Sequence, residues 1–151
     1  MLISNIVVAD DGSDHAIAAL EMAVDLTLKF DAKLTVVHVL THDYPPEEMQ
    51  HFIELEQLAP GEIAKERVVV VMGERIVKSA IKKATKSGVK DVSSVTRSGD
   101  YANCILEVAK EKNADMIVMG RRGTSELKGL LFGSVSHKVS QRADCSVLTV
   151  K

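Results

Sequence analysis

The sequence predicts an α/β protein in which helices cover both faces of a single doubly wound, five-stranded parallel sheet. Short apolar runs rich in β-branched residues alternate along the chain with longer segments of helical periodicity. These runs lack the apolar–polar alternation of strands that face water on one side, so we expect strands buried on both faces, as in parallel sheets. The chain has 151 residues, the usual length of one domain, and residues 1–151 are predicted to form it.

The N-terminal part predicts one βαβ unit with a right-handed crossover. Residues 3–8 and 34–40 are predicted as strands because they are short, apolar and mostly β-branched. Residues 13–30 are predicted as the connecting helix, with Ser13 or Asp14 as its N-cap. The spacing i, i+3, i+7, i+11 predicts an inner face made of Ile17, Leu20, Val24 and Leu28.

An acidic surface excursion follows this unit. Residues 43–62 carry six acidic residues and no lysine or arginine, and the three prolines of the chain lie between residues 41 and 60. One short helix is predicted there, over residues 47–58. The segment is expected to be solvated.

A long second crossover helix is predicted over residues 63–87, and Gly88 is predicted to end it. Residues 67–72 alone have the β-branched composition of a strand. The alternation of elements nevertheless requires a crossover here, and length and topology outweigh local propensity. The apolar side chains that recur on one side of this helix are Val69, Met72, Ile76, Ala80 and Ala84.

The C-terminal part repeats the alternation. Residues 91–96, 115–119 and 146–150 are predicted as strands, and residues 101–112 and 129–142 as the helices between them. The side chains expected to face the sheet are Ile105, Val108 and Ala109 of the first helix, and Leu130, Leu131, Val135 and Val139 of the second.

Composition excludes several classes of function. The formal net charge of −2 argues against nucleic acid or an anionic membrane as the main partner, and 3% aromatic residues leave little for base stacking. No apolar run approaches the roughly 20 residues that cross a bilayer. The first residues lack the basic region of a secretory signal, so none is expected. The two cysteines form no disulfide framework, so the reduced cytoplasm is the expected location.

The cysteines and histidines do not form a recognisable metal site. Cys104 and Cys145 make neither a metal pair nor a disulfide framework, and both are expected to be small buried hydrophobic residues. The five histidines lack the spacing of metal ligands. His38, inside a predicted strand, is expected to be a hydrogen-bonded core histidine.

The residues after each predicted strand are the candidate ligand-binding residues. In doubly wound sheets, ligands bind beyond the carboxyl ends of the strands, where the strand order reverses. The candidates are therefore Val39 in the second strand, the segment from Gly120 after the fourth strand, and the residues after the first strand, which are Ala9, Asp10, Asp11 and Gly12.

A glycine pattern, G-x2-G-x9-G-S, extends from Gly120 through Gly123 to Gly133 and Ser134. Glycine lets backbone N–H groups approach an anion closely, and residues 133–135 are expected to supply such amides, with the Ser134 hydroxyl as a further donor. Residues 121–142 carry five basic residues and one acidic residue in a chain that is negative overall. The segment predicts a phosphate-binding site, although the glycines could instead serve only as turns and helix ends.

Other phosphate and catalytic motifs are missing from the sequence. It contains no G-x-x-x-x-G-K-[ST] and no G-x-G-x-x-G after the first strand. Ser134 and His137 lie too close along one predicted helix to form a Ser-His-Asp site, and no nucleophile elbow surrounds the serine.

The chain resembles the ATP-binding subgroup of the universal stress protein family. The similar segments are VVADDGSDHAIAALEMAVDL, LTVVHV, SGDYANCILEVAKEKNADMIVMGRRG and GLLFGSVSHKVSQRADCSVLTVK, while residues 41–95 match poorly. The resemblance implies the strand order 3-2-1-4-5. It also implies a homodimer formed by antiparallel pairing of the edge strand 146–150.

The same resemblance implies which residues contact the nucleotide. Ala9, Asp10 and Asp11 correspond to the segment that holds base and ribose, with Asp11 facing the ribose, and the backbone of Val39 corresponds to the contact with the adenine edge. Met119 and Gly120 correspond to ribose and phosphate contacts. The phosphate cradle corresponds to Arg122, Gly123, Gly133, Ser134 and Val135.

Asp10 departs from the family pattern, because many members carry proline, valine or threonine there. The additional acid is expected either to weaken nucleotide binding or to help hold a divalent ion, Mg²⁺ or Mn²⁺, near the phosphates.

The expected function is that of a cytoplasmic stress-response protein that binds ATP or another adenine nucleotide as a regulatory ligand. Hydrolysis is expected to be slow at most, because the sequence offers no activated water, arginine finger or P-loop lysine. Two alternatives stay open: a dimeric interaction protein that works without nucleotide, and an enzyme that hydrolyses ATP or transfers a nucleotidyl group.

Overall fold

Strands and helices alternate along the chain, with one additional helix after the second strand. The computed structural model describes residues 2–41, 46–55, 57, 62–123 and 133–151. The strands are β1 (Asn5–Ala9), β2 (Lys33–Leu40), β3 (Val92–Ser98), β4 (Met116–Gly120) and β5 (Ser146–Val150). The helices are α1 (Asp14–Phe30), α2 (Pro46–Leu55), α3 (Glu62–Lys86), α4 (Tyr101–Glu111) and α5 (Ser134–Arg142).

The strands of the described ranges form one parallel sheet in the order β3-β2-β1-β4-β5. The central strand β1 pairs with β2 up to Ala9 and Val37, and with β4 up to Ala9 and Met119. The predicted fold class and the strand order 3-2-1-4-5 are confirmed. β3 and β5 are the two edges of this sheet.

Helices cover both faces of the sheet, because successive residues of each strand point to opposite sides. On one face, Ile6 and Val8 of β1 pack in a core with α1 and α3. On the other face, Val7 packs in a second core with α4 and α5. Burial on both faces explains why β1, β2 and β4 are mostly apolar, whereas the edge strand β3 is largely polar and exposed.

The inner face of α1 differs from the prediction. Leu20 and Val24 are buried, but Ile17 and Leu28 are 43% and 44% exposed. Ala16, Ala19, Ala23 and Thr27 are buried instead, because these small side chains let the helix axis approach the sheet. Ser13 is the N-cap, and its side chain accepts the Ala16 N–H at 3.2 Å.

The middle of the chain confirms the long crossover helix. α3 spans Glu62–Lys86; Val69, Ala80 and Ala84 are buried, and the two alanines pack in the core with β1 and β2. Gly88 follows with φ 101°, a left-handed conformation suited to a helix end. The short acidic helix is α2, which ends at Leu55; positions 56 and 58 of the helix predicted over 47–58 lie outside the described residues.

Two strand boundaries differ from the prediction by two residues, while several others differ by one. β1 begins at Asn5 rather than at residue 3, and the N–H groups of Ser4 and Asn5 donate to Asp115 Oδ2 at 2.8 and 2.9 Å. These two bonds hold the pKa of Asp115 below its ordinary value. β3 ends at Ser98 rather than at residue 96, because its ladder continues to the end of β2.

The last helix begins at Ser134. A helix over residues 129–142 was predicted, and its first part, residues 129–132, lies outside the described residues. At Gly133 the prediction is wrong: φ −72° and ψ 156° make this residue an extended N-cap. Its N–H donates to the Arg121 carbonyl at 2.9 Å instead of entering a helix.

The described helices include none that is both long and apolar enough to pass through a membrane. Cys104 is buried, as expected, whereas Cys145 is only partly buried, and both are free thiols.

Candidate functional site

A cleft lies at the carboxyl ends of the strands, next to the point between β1 and β4 where the strand order reverses. Its walls come from the turn after β1, the first turn of α1, the ends of β2 and β4, and the starts of α4 and α5. The lining residues are Ala9, Asp10, Asp11, Ala16, Val37, Val39, Thr41, Tyr101, Ile105, Met119, Gly120, Arg121, Arg122, Gly123, Gly133, Val135 and Ser136.

The candidate residues singled out in the sequence line this cleft, except Gly12 and Ser134. Ser134 is exposed as the first residue of α5 and is not part of the lining, although Gly133 and Val135 on either side of it are. The described structure therefore brings four segments that are far apart in sequence to a single place.

The turn after β1 is ordered by its own carboxylates. Asp10 Oδ1 accepts the Gly12 N–H, and Asp11 Oδ1 accepts the Ser13 N–H, both at 2.9 Å. Gly12 has φ 80°, which glycine adopts without strain, and an added Cβ would lie 3.0 Å from the Ile76 side chain. The turn thus places Ser13 at the N-cap position of α1.

Asp10 is a buried acid. Its exposure is 6%, and its carboxylate forms part of the turn through the bond with Gly12. Burial raises the pKa of Asp10, and the negative charge of Asp11 adds to the rise; the Gly12 N–H, His38 and Lys83 oppose it. Within the described ranges no group of three or more His, Cys, Asp or Glu side chains is arranged to hold a metal ion.

Gly120 lets the end of β4 lie against the first turn of α1. A Cβ at this position would be 2.8 Å from His15 Cβ, 2.9 Å from the His15 carbonyl carbon and 3.0 Å from Ala16 N. Two of these atoms are main-chain atoms, which cannot move aside as a flexible side chain can. Glycine is therefore required at this contact.

Gly123 makes a similar approach to the turn after β1. An added Cβ would lie 2.7 Å from Asp11 Oδ2. The residues that follow β4 thus lie directly beside the carboxylate that follows β1. This contact forms one side of the cleft.

The backbone of Arg121 joins the cleft to its neighbours. Its N–H donates to the Val150 carbonyl at 2.7 Å, and its carbonyl accepts the Gly133 N–H at 2.9 Å. The hydroxyl of Ser136, a buried residue, lies 2.8 Å from the same Arg121 carbonyl. The amide of Gly133 is thus engaged within the protein, contrary to its expected role as an anion donor.

Positive charge is concentrated on one side of the cleft. Arg121 and Arg122 both line it, and their Nε atoms are buried with no hydrogen-bond partner in the part of the chain that the structure describes. The start of α5 adds the positive end of its helix dipole, and first-turn N–H groups have no acceptor within a helix. The two guanidinium groups and the N-terminus of α5 can therefore bind an anion.

Several lining residues were not predicted from the sequence. Val37 has the same orientation as Val39 two residues later, so the period of the strand could have identified it. Tyr101 and Ile105 are one helical turn apart on α4 and carry no motif. Ser136 is distinguishable only by its burial, which the sequence does not reveal.

Comparisons with known proteins agree on one family. A model of the universal stress protein family matches residues 3–151. Universal stress protein YxiE of Bacillus subtilis is 38% identical over 161 residues, covering 99% of this chain and 100% of the relative. Universal stress protein MJ0531 of Methanocaldococcus jannaschii is 35% identical over 150 residues, covering 99% of this chain and 83% of the relative.

Solved structures show the same fold. A universal stress protein in complex with cAMP superposes with a TM-score of 0.72 at 24% identity, covering 100% of this chain and 99% of that one. The universal stress protein from Archaeoglobus fulgidus in complex with dAMP has a TM-score of 0.68 at 22% identity, covering 100% of both chains.

The raised pKa of Asp10 predicts that Asp10→Asn stabilises the protein at pH 7. A raised pKa means that the folded state favours the protonated carboxyl, so the stability that Asp10 contributes is complete below the ordinary value of 3.8 and is lost as the pH rises through the folded pKa. Asparagine is uncharged and keeps an oxygen to accept the Gly12 N–H. Urea unfolding should show a stability advantage of the variant that grows from pH 4 to pH 7.

Asp91→Asn is the matched control, because Asp91 is an exposed carboxyl that faces Lys33 at 3.7 Å. Its effect should be small over the same pH range. A variant Asp10→Asn that is less stable than the unmodified protein at pH 7 would contradict the prediction and show that the turn needs the charge.

Proposed function

This chain belongs to the universal stress protein family, and from that premise we propose that its cleft binds an adenine nucleotide, with ATP as the main candidate. The protein is proposed to act in the cytoplasm as a nucleotide-dependent regulator of a stress response. Nucleotide occupancy would stabilise the fold by mass action and alter the surface around the cleft.

One observation carries this proposal: the buried Nε atoms of Arg121 and Arg122 lie at the cleft beside the start of α5, without partners among the described residues. A phosphate group would satisfy guanidinium and first-turn N–H donors together, through charge-assisted hydrogen bonds. The cAMP and dAMP complexes of the two similar structures support an adenine nucleotide as the ligand class.

We assign the residues around the cleft to the base, the ribose and the phosphates of the nucleotide. The backbone of Val39 is assigned to the base, and Ala9, Asp10 and Asp11 to base and ribose, with Asp10 contributing as the buried support of the turn. Met119 and Gly120 are assigned to ribose and phosphate. The phosphates are assigned to Arg122, Gly123, Ser134 and Val135, with Gly133 as the N-cap that orients the last two.

Binding is tested by Arg122→Ala. Loss of a charge-assisted hydrogen bond should reduce the affinity for ATP about 10- to 100-fold, because such a bond contributes about 1.5–3 kcal/mol. The affinity for adenosine, which has no phosphate, should change less than about twofold. Isothermal titration calorimetry with both ligands measures the two effects.

Arg97→Ala is the matched control, because the Arg97 guanidinium pairs with Glu111 on the surface at 2.8 Å. It should leave both affinities unchanged. Equal losses for adenosine and ATP in Arg122→Ala would overturn the phosphate assignment. If no adenine nucleotide binds the unmodified protein at millimolar concentration, the nucleotide-independent interaction protein becomes the better interpretation.

Hydrolysis is proposed to be slow at most, with Mg²⁺ or Mn²⁺ entering together with the phosphates. Phosphate release from ATP and Mg²⁺ should be far below the roughly 1–1,000 per second typical of enzymes. Release in that range, abolished by Asp11→Asn, would instead favour the ATP-hydrolysing alternative.

The protein is also proposed to form a homodimer through β5. The Ser146 N–H donates to the main-chain carbonyl of Asp115, on the side of β5 that faces β4. Because N–H groups alternate in direction along a strand, those of Val147 and Thr149 point away from β4, at the open edge of the sheet.

Light scattering should give twice the chain mass of 16.4 kDa. Thr149→Pro removes an outward N–H that β4 does not use and should give a folded monomer; a dimer that survives this change uses another surface.

A further inference from the structure

His38 is buried beneath the cleft, on the face of β2 that is opposite to the lining residues Val37 and Val39. It is 1% exposed. Its ring lies against α3 at Gly73, where an added Cβ would be 3.0 Å from His38 Cδ2 and 3.1 Å from Nε2. His38 is therefore not a lining residue of the cleft.

The ring bonds to the main chain of the turn after β1. His38 Nδ1 lies 2.7 Å from the Asp10 carbonyl oxygen. A carbonyl can only accept, so the ring must donate, which places its proton on Nδ1. Nε2 is buried with no hydrogen-bond partner among the described residues.

This bond completes the attachment of Asp10 to β2. The last β1–β2 pair is Ala9 with Val37, and the Asp10 N–H still donates to the Val37 carbonyl at 2.9 Å. The Asp10 carbonyl lies beyond the end of that ladder. Among the described residues, its hydrogen-bond donor is the His38 ring through Nδ1. Two successive residues of β2 thus hold both main-chain groups of Asp10.

The position of Asp11 depends on this attachment. Asp11 follows Asp10 directly, and its carboxylate lies beside Gly123 in the wall of the cleft. A buried carbonyl without a donor costs about 1–3 kcal/mol, so a turn deprived of His38 would rotate this carbonyl toward water. Asp11 would move with it.

We propose that His38 is a positioning residue of the nucleotide site: its ring fixes the Asp10 main chain and thereby directs the Asp11 carboxylate at the ribose hydroxyls. This inference rests on the proposed function, because it assumes that a nucleoside occupies the cleft. His38 itself acts only through the turn.

Two substitutions separate positioning from general stability. In His38→Asn, the asparagine side-chain amide lies close to the position that Nδ1 of the histidine occupies, so its N–H still reaches the Asp10 carbonyl. His38→Leu fills a similar volume and has no donor. Both remove the imidazole and should lower stability, but only the leucine variant should lose affinity for AMP, by about tenfold, corresponding to one hydrogen bond. The asparagine variant should stay within about threefold.

Hydrogen exchange gives a readout that needs no ligand. The amides of Gly12 and Ser13, which bond to the carboxylates of the turn, should exchange faster in His38→Leu than in His38→Asn. Thr35→Val is the control: it removes another buried polar group of β2, bonded to Ser93 at 3.2 Å, far from the turn. It should lower stability without changing AMP affinity or exchange at Gly12.

The outcomes distinguish the two proposals. Failure of the unmodified protein to bind AMP would refute the proposed function, and the exchange data would still test the attachment of the turn. AMP affinity that is unchanged in His38→Leu, or that falls equally in the leucine, asparagine and Thr35→Val variants, would overturn the role of His38. If His38→Leu does not fold, His38→Gln replaces it, because its N–H lies near Nε2 and misses the Asp10 carbonyl.

Discussion

The close approach of β4 to α1 is the contact on which the cleft depends. At Gly120 the main chain of the strand lies against His15 and Ala16, and no side chain fits between them. This contact brings Arg122 and Gly123 over the turn after β1. It also places the Arg121 backbone where it can bond to β5 on one side and to Gly133 on the other. A cleft lined by segments that are far apart in the sequence therefore depends on the absence of one side chain.

Much of this architecture could be predicted, because its causes are local in the sequence. The buried strands are short apolar runs, the helix starts carry caps such as Ser13, and the alternation of elements made α3 a helix despite its β-branched segment. The carboxyl-end rule then located the candidate site without coordinates. The strand order came from the family resemblance, since periodicity does not determine which strands are neighbours.

What could not be predicted depends on three-dimensional packing. The buried face of α1 contains three alanines and Thr27 beside Leu20 and Val24, and the packing of the helix on the sheet leaves Ile17 and Leu28 partly exposed. The amide of Gly133 is engaged by a carbonyl twelve positions earlier in the sequence, a bond that no short motif encodes. Tyr101 and Ile105 reach the cleft from α4 for the same reason: the topology, not their spacing, places them there.

The central position of β1 has a consequence for biosynthesis. β1 is translated first, yet one of its two neighbours, β4, follows more than a hundred residues later. A nascent chain that has emerged only as far as β3 can pair β1 with β2, but it leaves the other edge of β1 open. The Asp115 carboxylate that holds the amides of Ser4 and Asn5 is also absent at that stage. The cleft can form only after β4 and the start of α5 have left the ribosome, so the proposed ligand could bind only chains that have been translated at least that far.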